Sequence, residues 1–163
     1  MADLSGHYFH TIDAKSRLTI PAGLRAGINR RREGYGFVAI CNLDNALSLY
    51  TPSRYGEIAP EFDASSRTDP DVRNFELITY GLAVDLEMDR MGRVLIPENL
   101  MEECGLSARE VVVAGIKDHI EVWPSGRWGR HIKEQKANRA ALAKQVLMHK
   151  KKKAPPPAEA DST

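Results

Sequence analysis

The chain has 163 residues, of which 42% are hydrophobic and 28% charged, so it is long enough for one compact domain with a real core. Its net charge of +1 excludes a nucleic-acid binder that is basic throughout, although residues 1–55 carry +3, residues 56–126 carry −9 and residues 127–149 carry +5. There is no apolar signal core, no membrane-length run and no metal-binding cysteine pattern, which predicts a cytoplasmic protein with reduced thiols.

The first half of the chain predicts a series of short elements. Asp13–Ser16 is rich in turn-forming residues and lies between two β-rich runs, and Asn42–Asn45 predicts a second such turn. Pro21 suits the first turn of a helix because it lacks an N–H. In chain order, the predicted elements are strands His7–Ile12 and Arg17–Ile20, a helix from Pro21, and strands Phe37–Cys41 and Ala46–Tyr50.

The second half repeats this order between two predicted helices. The first helix begins at the Asp69-Pro70 cap, and its apolar face comprises Val72, Phe75, Ile78 and Leu82. The last is one long helix from Ser125, with a buried stripe of Trp128, Ile132, Leu142 and Val146. The elements between them are strands Leu82–Met88 and Val94–Ile96, helix Glu98–Cys104, and strands Glu110–Gly115 and His119–Trp123.

One ten-residue pattern occurs twice in the chain. Ile12–Pro21 returns as Met88–Pro97, with Asp and Arg four residues apart in both copies and Ile-Pro at the end. The similarity continues while the offset falls from 76 to 73 residues, which indicates a tandem duplication of one β-β-α-β-β unit. The further matches are Val38–Ile40 with Val111–Val113, Leu47–Tyr50 with Ile120–Trp123, and Arg54–Gly56 with Arg127–Gly129.

These observations predict an α+β fold in five segments. The two copies of the repeat occupy residues 7–54 and 83–127, and a helical connector of residues 55–82 joins them. A C-terminal helix follows at residues 128–149. Residues 150–163, with four lysines and three prolines, predict a disordered basic tail.

Arg17 and Arg93 are the strongest candidate functional residues. A guanidinium group can bind guanine through two hydrogen bonds in the major groove, or it can clamp a phosphate. Asp13 and Asp89, four residues earlier, can orient that group, whereas a carboxylate facing phosphates would be repelled. The alternative is that both pairs are salt bridges that only stiffen a turn. A solvated pair stabilises a protein little, so its presence in both copies favours the functional interpretation.

Other cations are less distinctive. Lys15 and Arg90 lie in the two turns, where contact with phosphate and simple solvation are about equally expected. Arg30–Arg32 is interpreted as a solvated loop, with auxiliary phosphate contact as the alternative. Lys150–Lys153 could add non-specific affinity for DNA by counterion release, but such tails more often only keep a protein soluble.

Enzyme chemistry finds no support in the sequence. There is no phosphate-binding loop, nucleophile elbow or zinc-protease helix, so neither an enzyme nor a cofactor is expected. His7 and His10 lie near Asp13, but residues three apart on a strand point to opposite faces. They are therefore interpreted as structural or surface histidines, with no metal site.

The paired Asp-x-x-x-Arg turns, each leading to Ile-Pro, resemble the MraZ family of bacterial transcriptional regulators over roughly residues 5–148. The resemblance implies the swapped-hairpin fold of the AbrB and SpoVT regulators, with two SpoVT-AbrB-like units forming a pseudo-dimer within one chain. It also implies that both turns form the DNA-contacting surface. The residues concerned are Arg17, Arg93, Lys15 and Arg90, with Asp13 and Asp89 as turn-orienting residues.

The same resemblance implies a partner and an assembly. Such regulators bind short direct repeats in promoter DNA at the nucleoid, and they repress the division and cell-wall gene cluster, including their own gene. Their subunits form closed homo-oligomeric rings, commonly of eight, and no membrane is involved. The alternative is an antitoxin-like protein-interaction module of the same fold, which binds a toxin through a flexible tail.

Overall fold

The computed structural model describes residues 3–58 and 68–153. The chain divides into two compact units, residues 1–128 and 129–163, with the boundary inside a helix. The strands are β1 (His7–Thr11), β2 (Arg17–Thr19), β3 (Phe37–Cys41), β4 (Leu47–Tyr50), β5 (Val84–Leu86), β6 (Arg93–Leu95), β7 (Glu110–Ile116) and β8 (His119–Pro124). The helices are α1 (Ala22–Ala26), α2 (Arg30–Glu33), α3 (Pro52–Ile58), α4 (Pro70–Thr79), α5 (Glu98–Glu103), α6 (Ser125–Ala137) and α7 (Arg139–Lys153).

The strands of the two copies are interleaved in one six-stranded antiparallel sheet. Its order is β1-β7-β8-β4-β3-β5, so β1 of the first copy pairs with β7 of the second, and β5 of the second pairs with β3 of the first. The same order results when the sheet is read from the β5 edge and each strand is replaced by its counterpart in the other copy (β1 by β5, β3 by β7, β4 by β8). The two repeats are therefore related by a pseudo-two-fold axis between β4 and β8, as a swapped-hairpin pseudo-dimer requires.

The strand registers place this axis at single residue pairs. Ser48 pairs with Glu121 at the centre of the sheet. Leu18 pairs with Val94 at the centre of a separate two-stranded ribbon formed by β2 and β6, which we call the ribbon. Both pairs join equivalent positions of the duplicated sequence. The tandem duplication predicted from the sequence is thus built as one symmetric body within a single chain.

One predicted correspondence between the copies is shifted by one residue. Ala39 pairs with Leu49, and the equivalent partner of Val122 is Val113. Val38–Ile40 therefore corresponds to Val112–Ala114, not to Val111–Val113. Residues 111–113 are three successive valines, so the sequence has no difference between side chains there that could decide which valine corresponds to which residue of the first copy.

A single hydrophobic cluster connects the ribbon, alternate residues of the sheet, and helices α1 and α5. In the ribbon, Leu18 and Val94 are completely buried, whereas their neighbours along each strand are partly or largely exposed. This alternation follows from the two-residue period of a strand. Full burial of each aliphatic side chain stabilises the fold by about 1.5–3 kcal/mol. The buried pair therefore holds the inner face of the ribbon and leaves its outer face free.

Two predicted elements differ from those observed. Arg30–Arg32 is not a loop but belongs to the one-turn helix α2, because the side chain of Asn29 caps the backbone N–H of Arg31 at 3.2 Å. Helix α4 has the predicted Asp69 cap but ends at Thr79, so Leu82 lies outside its predicted apolar face. Side chains at the end of that face are exposed, 63% for Ile78.

The C-terminal region also departs from its prediction. The single long helix is divided at Asn138 into α6 and α7, and both Leu142 and Val146 are exposed instead of forming a buried stripe. Asparagine has a low helix propensity, which accounts for the break. Helix α7 includes Lys150–Lys153, which were predicted to begin the disordered tail, because lysine favours helix and the first proline follows only at position 155. The rest of that predicted tail, residues 154–163, and residues 59–67 of the predicted connector lie outside the described residues.

Candidate nucleic-acid interface

The first turn is organised by the carboxylate of Asp13. Its Oδ1 accepts hydrogen bonds from the backbone N–H groups of Lys15 and Arg17, both at 2.9 Å. Its Oδ2 accepts a hydrogen bond from Nε of Arg17 at 2.7 Å. Aspartate is common in turns because its side chain can bond to the backbone two residues further on. One carboxylate therefore determines both the path of the turn and the direction of the guanidinium group.

The second turn repeats this geometry. Oδ1 of Asp89 accepts the backbone N–H groups of Met91 and Arg93, both at 2.9 Å, and Oδ2 accepts Nε of Arg93 at 2.8 Å. The backbone hydrogen bonds that close the two turns match within 0.1 Å, with Asp89 N–H donating to the Arg93 carbonyl at 2.9 Å and the equivalent pair in the first turn at 3.0 Å. The duplicated sequence therefore produces the same structure twice.

Each guanidinium group uses its Nε for the carboxylate and keeps its terminal amino groups available. Within residues 3–58 and 68–153, no hydrogen-bond acceptor contacts the Nη atoms of Arg17 or Arg93. The two arginine side chains are 33% and 26% exposed. Two parallel N–H groups in a fixed plane match the paired acceptors of a guanine edge or a phosphate.

The ribbon links the turns to each other. The backbone N–H of Ile96 donates to the carbonyl of Ser16 at 2.9 Å, and that of Ile20 donates to the carbonyl of Gly92 at 2.8 Å. Each turn thus holds the strand that follows the other turn. Arg17 and Arg93 emerge at opposite ends of the ribbon, and both line one open cleft of about 450 Å³.

Two further arginines brace the turns, and neither was predicted from the sequence. Arg109, in the loop before β7, donates from Nη1 to the backbone carbonyl of Asp13. Arg25 donates from Nε to the carbonyl of Ile20 at 2.9 Å, and its guanidinium group lies against Gly92 of the second turn. No local pattern could have identified them. Arg109 is 96 residues from Asp13, so only the fold brings the two together.

Comparison with known proteins identifies the family. The model of the MraZ protein family, described as antitoxin-like, matches residues 4–78 and again residues 80–149. This chain belongs to the MraZ family. A transcriptional regulator MraZ from Moorella thermoacetica is 36% identical over 142 residues, which cover 87% of this chain and 95% of that protein. Proteins of the same name from Herpetosiphon aurantiacus and Acetivibrio thermocellus are 34% and 31% identical, covering 86% and 88% of this chain and 94% and 96% of their own lengths.

The MraZ family is a family of transcriptional regulators and not of enzymes. Its model matches this chain twice, and each match contains one Asp-x-x-x-Arg turn. The pseudo-two-fold body described above is therefore the structural form of the MraZ repeat in this chain.

The other predicted cations lie at different places in this MraZ-family structure. Lys15 is the third residue of the first turn and Arg90 the second residue of the other, and both side chains are exposed. The two turns therefore carry their additional positive charge at non-equivalent positions. Arg30–Arg32 are exposed on α2, and Lys150 is exposed on α7.

Both turn aspartates have a pKa below the ordinary aspartate value. The hydrogen bond from the backbone N–H of Arg17 is the main cause for Asp13, and the bond from the Arg17 side chain adds to it. The equivalent bonds from Arg93 lower the pKa of Asp89. A lowered pKa means that the carboxylate form stabilises the folded turn above the unfolded-state pKa, and that this contribution is lost as the pH falls through the folded-state pKa. At neutral pH both aspartates remain charged partners of their arginines.

One of the two histidines near the first turn, His7, has aromatic neighbours. The ring of His7 lies 6.0 Å from that of Phe9 and 5.8 Å from that of Trp128, measured between centroids. Among the described residues, no three His, Cys, Asp or Glu side chains are placed to share a metal ion. None of the helices in the described ranges combines the length and the apolar character needed to cross a membrane.

Proposed function

We propose that this protein is a sequence-specific DNA-binding transcriptional regulator whose ribbon contacts DNA through its two turns. In this proposal Arg17 and Arg93 bind base edges, Lys15 and Arg90 bind phosphates, and Asp13 and Asp89 orient the two central arginines. One observation supports it above all: the same set of hydrogen bonds occurs in both turns and leaves the Nη groups of both arginines without a partner among the described residues.

The shape of the ribbon suits this role. The major groove of B-DNA is about 12 Å wide and admits a two-stranded β-ribbon. Guanine presents two acceptors, O6 and N7, that match the two Nη groups of an arginine. Because Nε is already bonded to a carboxylate, the guanidinium plane is set before DNA binds, and less conformational entropy is lost on binding.

The proposed targets are short direct repeats in the promoter of the division and cell-wall gene cluster, including the protein's own gene, with repression as the outcome. Such a protein acts in the cytoplasm at the nucleoid. One ribbon carries only two base-binding arginines, so a single subunit would bind weakly. A closed ring, with eight subunits as the expected size, would present several ribbons at once and raise the affinity about 10²–10⁴-fold through effective concentration.

The DNA-binding test uses the fragment upstream of the protein's own gene. Arg17→Ala and Arg93→Ala should each weaken specific binding by about 1–3 kcal/mol per engaged turn, since each removes one two-point contact. The matched control is Arg73→Ala, which removes an exposed arginine from α4. All three variants should unfold at nearly the same temperature as the wild type. Operator binding by both turn variants at wild-type strength would disprove the proposal.

Assembly and the second candidate function need separate measurements. Light scattering at micromolar concentration should show a large closed oligomer, and a monomer would contradict the ring. The antitoxin-like description of the family model favours a toxin-binding module as the second candidate. That candidate predicts a stable complex with a partner protein, and no preference for the upstream fragment over random DNA.

A further inference from the structure

The outer face of the ribbon departs from the pseudo-two-fold symmetry at one pair of positions. The residue after the buried centre is Thr19 in β2 but Leu95 in β6. Because the strands are antiparallel, Leu95 lies directly opposite Arg17, and Thr19 lies directly opposite Arg93. One end of the ribbon therefore combines an arginine with a leucine, and the other combines an arginine with a threonine.

Leu95 does not contribute to the core. Its side chain is 59% exposed, whereas Val94 and Ile96 on either side are almost completely buried. A single exposed leucine is common on protein surfaces and needs no explanation by itself. Its position is more informative, since directly paired residues on one face of an antiparallel ribbon have Cβ atoms about 4.5–5.5 Å apart. Leu95 thus lies beside Arg17 on the outer face of the ribbon.

Two side chains that begin this close together are long enough to reach neighbouring base pairs, which are about 3.4 Å apart along the DNA axis. In the major groove the only apolar group on a base edge is the 5-methyl group of thymine, and aliphatic side chains contact it. The threonine at the opposite end offers a hydroxyl group, which can bond to several base edges. The two ends would therefore favour different bases beside the guanine that each arginine binds.

We propose that Leu95 is a specificity-determining residue that selects a thymine next to the guanine bound by Arg17, while Thr19, with a single methyl group and a hydroxyl, selects it less strongly at the Arg93 end. The inference rests on the proposed function, because it assumes that the ribbon enters the major groove. It has a directional consequence. A fully symmetric ribbon would bind DNA equally in both orientations, but unequal ends give each subunit one preferred orientation, as direct repeats require.

The test removes one methyl group from the DNA. Selection from a randomised duplex pool with the wild-type protein should give a motif with a thymine beside one guanine. Deoxyuridine at that position lacks only the 5-methyl group, and it should weaken wild-type binding about four-fold per engaged ribbon, from the 0.8 kcal/mol expected for one buried apolar carbon. Leu95→Thr, with a shorter side chain and only one methyl group, should lose clearly less affinity than the wild type when thymine is replaced by deoxyuridine.

The pseudo-symmetry of the chain supplies matched variants. Thr19→Leu should add a thymine preference beside the second guanine, so that the selected motif becomes two-sided. The double variant Thr19→Leu/Leu95→Thr should restore a one-sided motif and the sensitivity to deoxyuridine, which a merely structural effect of Leu95→Thr would not allow. Light scattering of each variant shows whether the assembly is intact.

The possible outcomes distinguish a failure of the Leu95 inference from a failure of the proposed DNA-binding function. A wild-type protein that selects no motif overturns the proposed DNA-binding function. A wild-type protein that binds its operator but does not distinguish thymine from deoxyuridine overturns only the role of Leu95. A Leu95→Thr variant that changes the oligomer size and keeps the thymine preference also overturns it, and assigns Leu95 to a contact between subunits.

Discussion

At the scale of single residues, the two turns have the same backbone conformation but different neighbouring side chains. Ser16 and Gly92 occupy equivalent positions and both have left-handed φ angles, 60° and 77°. Serine tolerates this conformation in the first turn. In the second turn the guanidinium group of Arg25 lies where a side chain at position 92 would begin, with its Cζ 2.5 Å from the place of a Cβ atom. Glycine is therefore required at position 92 by conformation and by space together.

Gly92→Ala should destabilise the protein by about 1–2 kcal/mol, because a side chain in the left-handed region is strained and Arg25 must move. The measurement is chemical denaturation, with Ser16→Gly as the matched variant. Ser16→Gly should change stability little, since relief of the left-handed strain offsets the greater flexibility of the unfolded chain. Equal losses in both variants would show that Arg25 does not constrain the second turn.

The two oxygens of Asp89 have different tasks, which conservative variants can separate. Asp89→Asn keeps one acceptor for the backbone N–H groups of Met91 and Arg93 but loses the charged partner of the Arg93 side chain. Asp89→Ala loses both. We expect both variants to bind operator DNA more weakly than the wild type, though less weakly than Arg93→Ala. Only Asp89→Ala should clearly lower the melting temperature.

Calorimetry and operator titration measure these two effects independently. The equivalent variants at Asp13 should behave in the same order, because the first turn has the same hydrogen bonds. Identical melting temperatures for the Asn and Ala variants would mean that the backbone bonds to Oδ1 contribute nothing to the turn.

At the scale of elements, each repeat is fastened to the other by an arginine from the helix that follows its last strand. Arg127 of α6 donates to the carbonyls of Asp44 and Asn45 in the first repeat, at 2.9 and 2.6 Å. Arg54 of α3 donates from Nε to Asp118 in the second repeat at 2.6 Å. These arginines correspond to each other in the duplicated sequence. The pseudo-symmetry therefore extends from the strands to the contacts that hold the hairpins.

The Arg54 contact continues into a half-buried charged network around His119. The ring accepts or donates at both nitrogens, with Nδ1 2.7 Å from Asp118 and Nε2 3.1 Å from Glu121, and it stacks on Tyr50. A neutral imidazole has one N–H, whereas carboxylates only accept, so the doubly protonated ring satisfies both contacts. Burial lowers the pKa of His119, but the hydrogen bonds to Glu121 and Asp118 outweigh it and raise the pKa above 6.5.

This raised pKa predicts a stability contribution that disappears in alkaline solution. The contribution is complete below the unfolded-state pKa near 6.5 and is lost as the pH rises through the folded-state pKa. His119→Gln should therefore be less stable than the wild type at pH 6, and the difference should narrow at pH 9. Burial raises the pKa of Tyr50 to about 12, so its titration does not interfere.

Thermal unfolding across this pH range provides the measurement. His149→Gln, which changes an exposed histidine on α7, is the matched control and should follow the wild-type profile. A stability difference between wild type and His119→Gln that stays constant from pH 6 to pH 9 would contradict a charged ring in the folded protein.

At the scale of the whole molecule, neither repeat has a sheet of its own. Strand β1 pairs with β7, β2 pairs with β6, and β5 pairs with β3, so three of the pairings cross between the copies. The central pair β4 and β8 adds a fourth. Of the pairings between the named strands in the described part of the chain, each copy alone keeps one hairpin, β3–β4 or β7–β8, and an isolated hairpin is marginally stable in water.

The separated repeats should therefore not fold as monomers. Residues 1–58 expressed alone should be unfolded by circular dichroism, or should fold only as a dimer that replaces the missing copy with a second identical one. Mixing this fragment with residues 68–163 should restore the structure. A folded monomeric fragment, identified by sedimentation, would show that the repeats are independent domains.

The sequence by itself determined the local features of this protein. The turn at Asp13 and its copy at Asp89 depend on hydrogen bonds between residues two and four positions apart, and such bonds follow from the local order of residues. The order of strands and helices within each repeat follows for the same reason, from periodicity and turn-forming residues. The duplication was visible because both copies must build the same local structure.

Only the tertiary structure decided how these local features meet. Arg109 supports a turn 96 residues away, Arg25 fills the space beside Gly92, and Leu95 lies opposite Arg17 because of a register between two repeats. The sequence did not predict the one-residue shift in the correspondence at Val113 or the extension of α7 through Lys150–Lys153, and the two reasons are related. Each lies in a run of identical residues, three valines in one case and four lysines in the other. Identical side chains give no signal for the register of a strand or for the last residue of a helix. Contacts of this kind arise from packing between distant segments, and local sequence does not encode them.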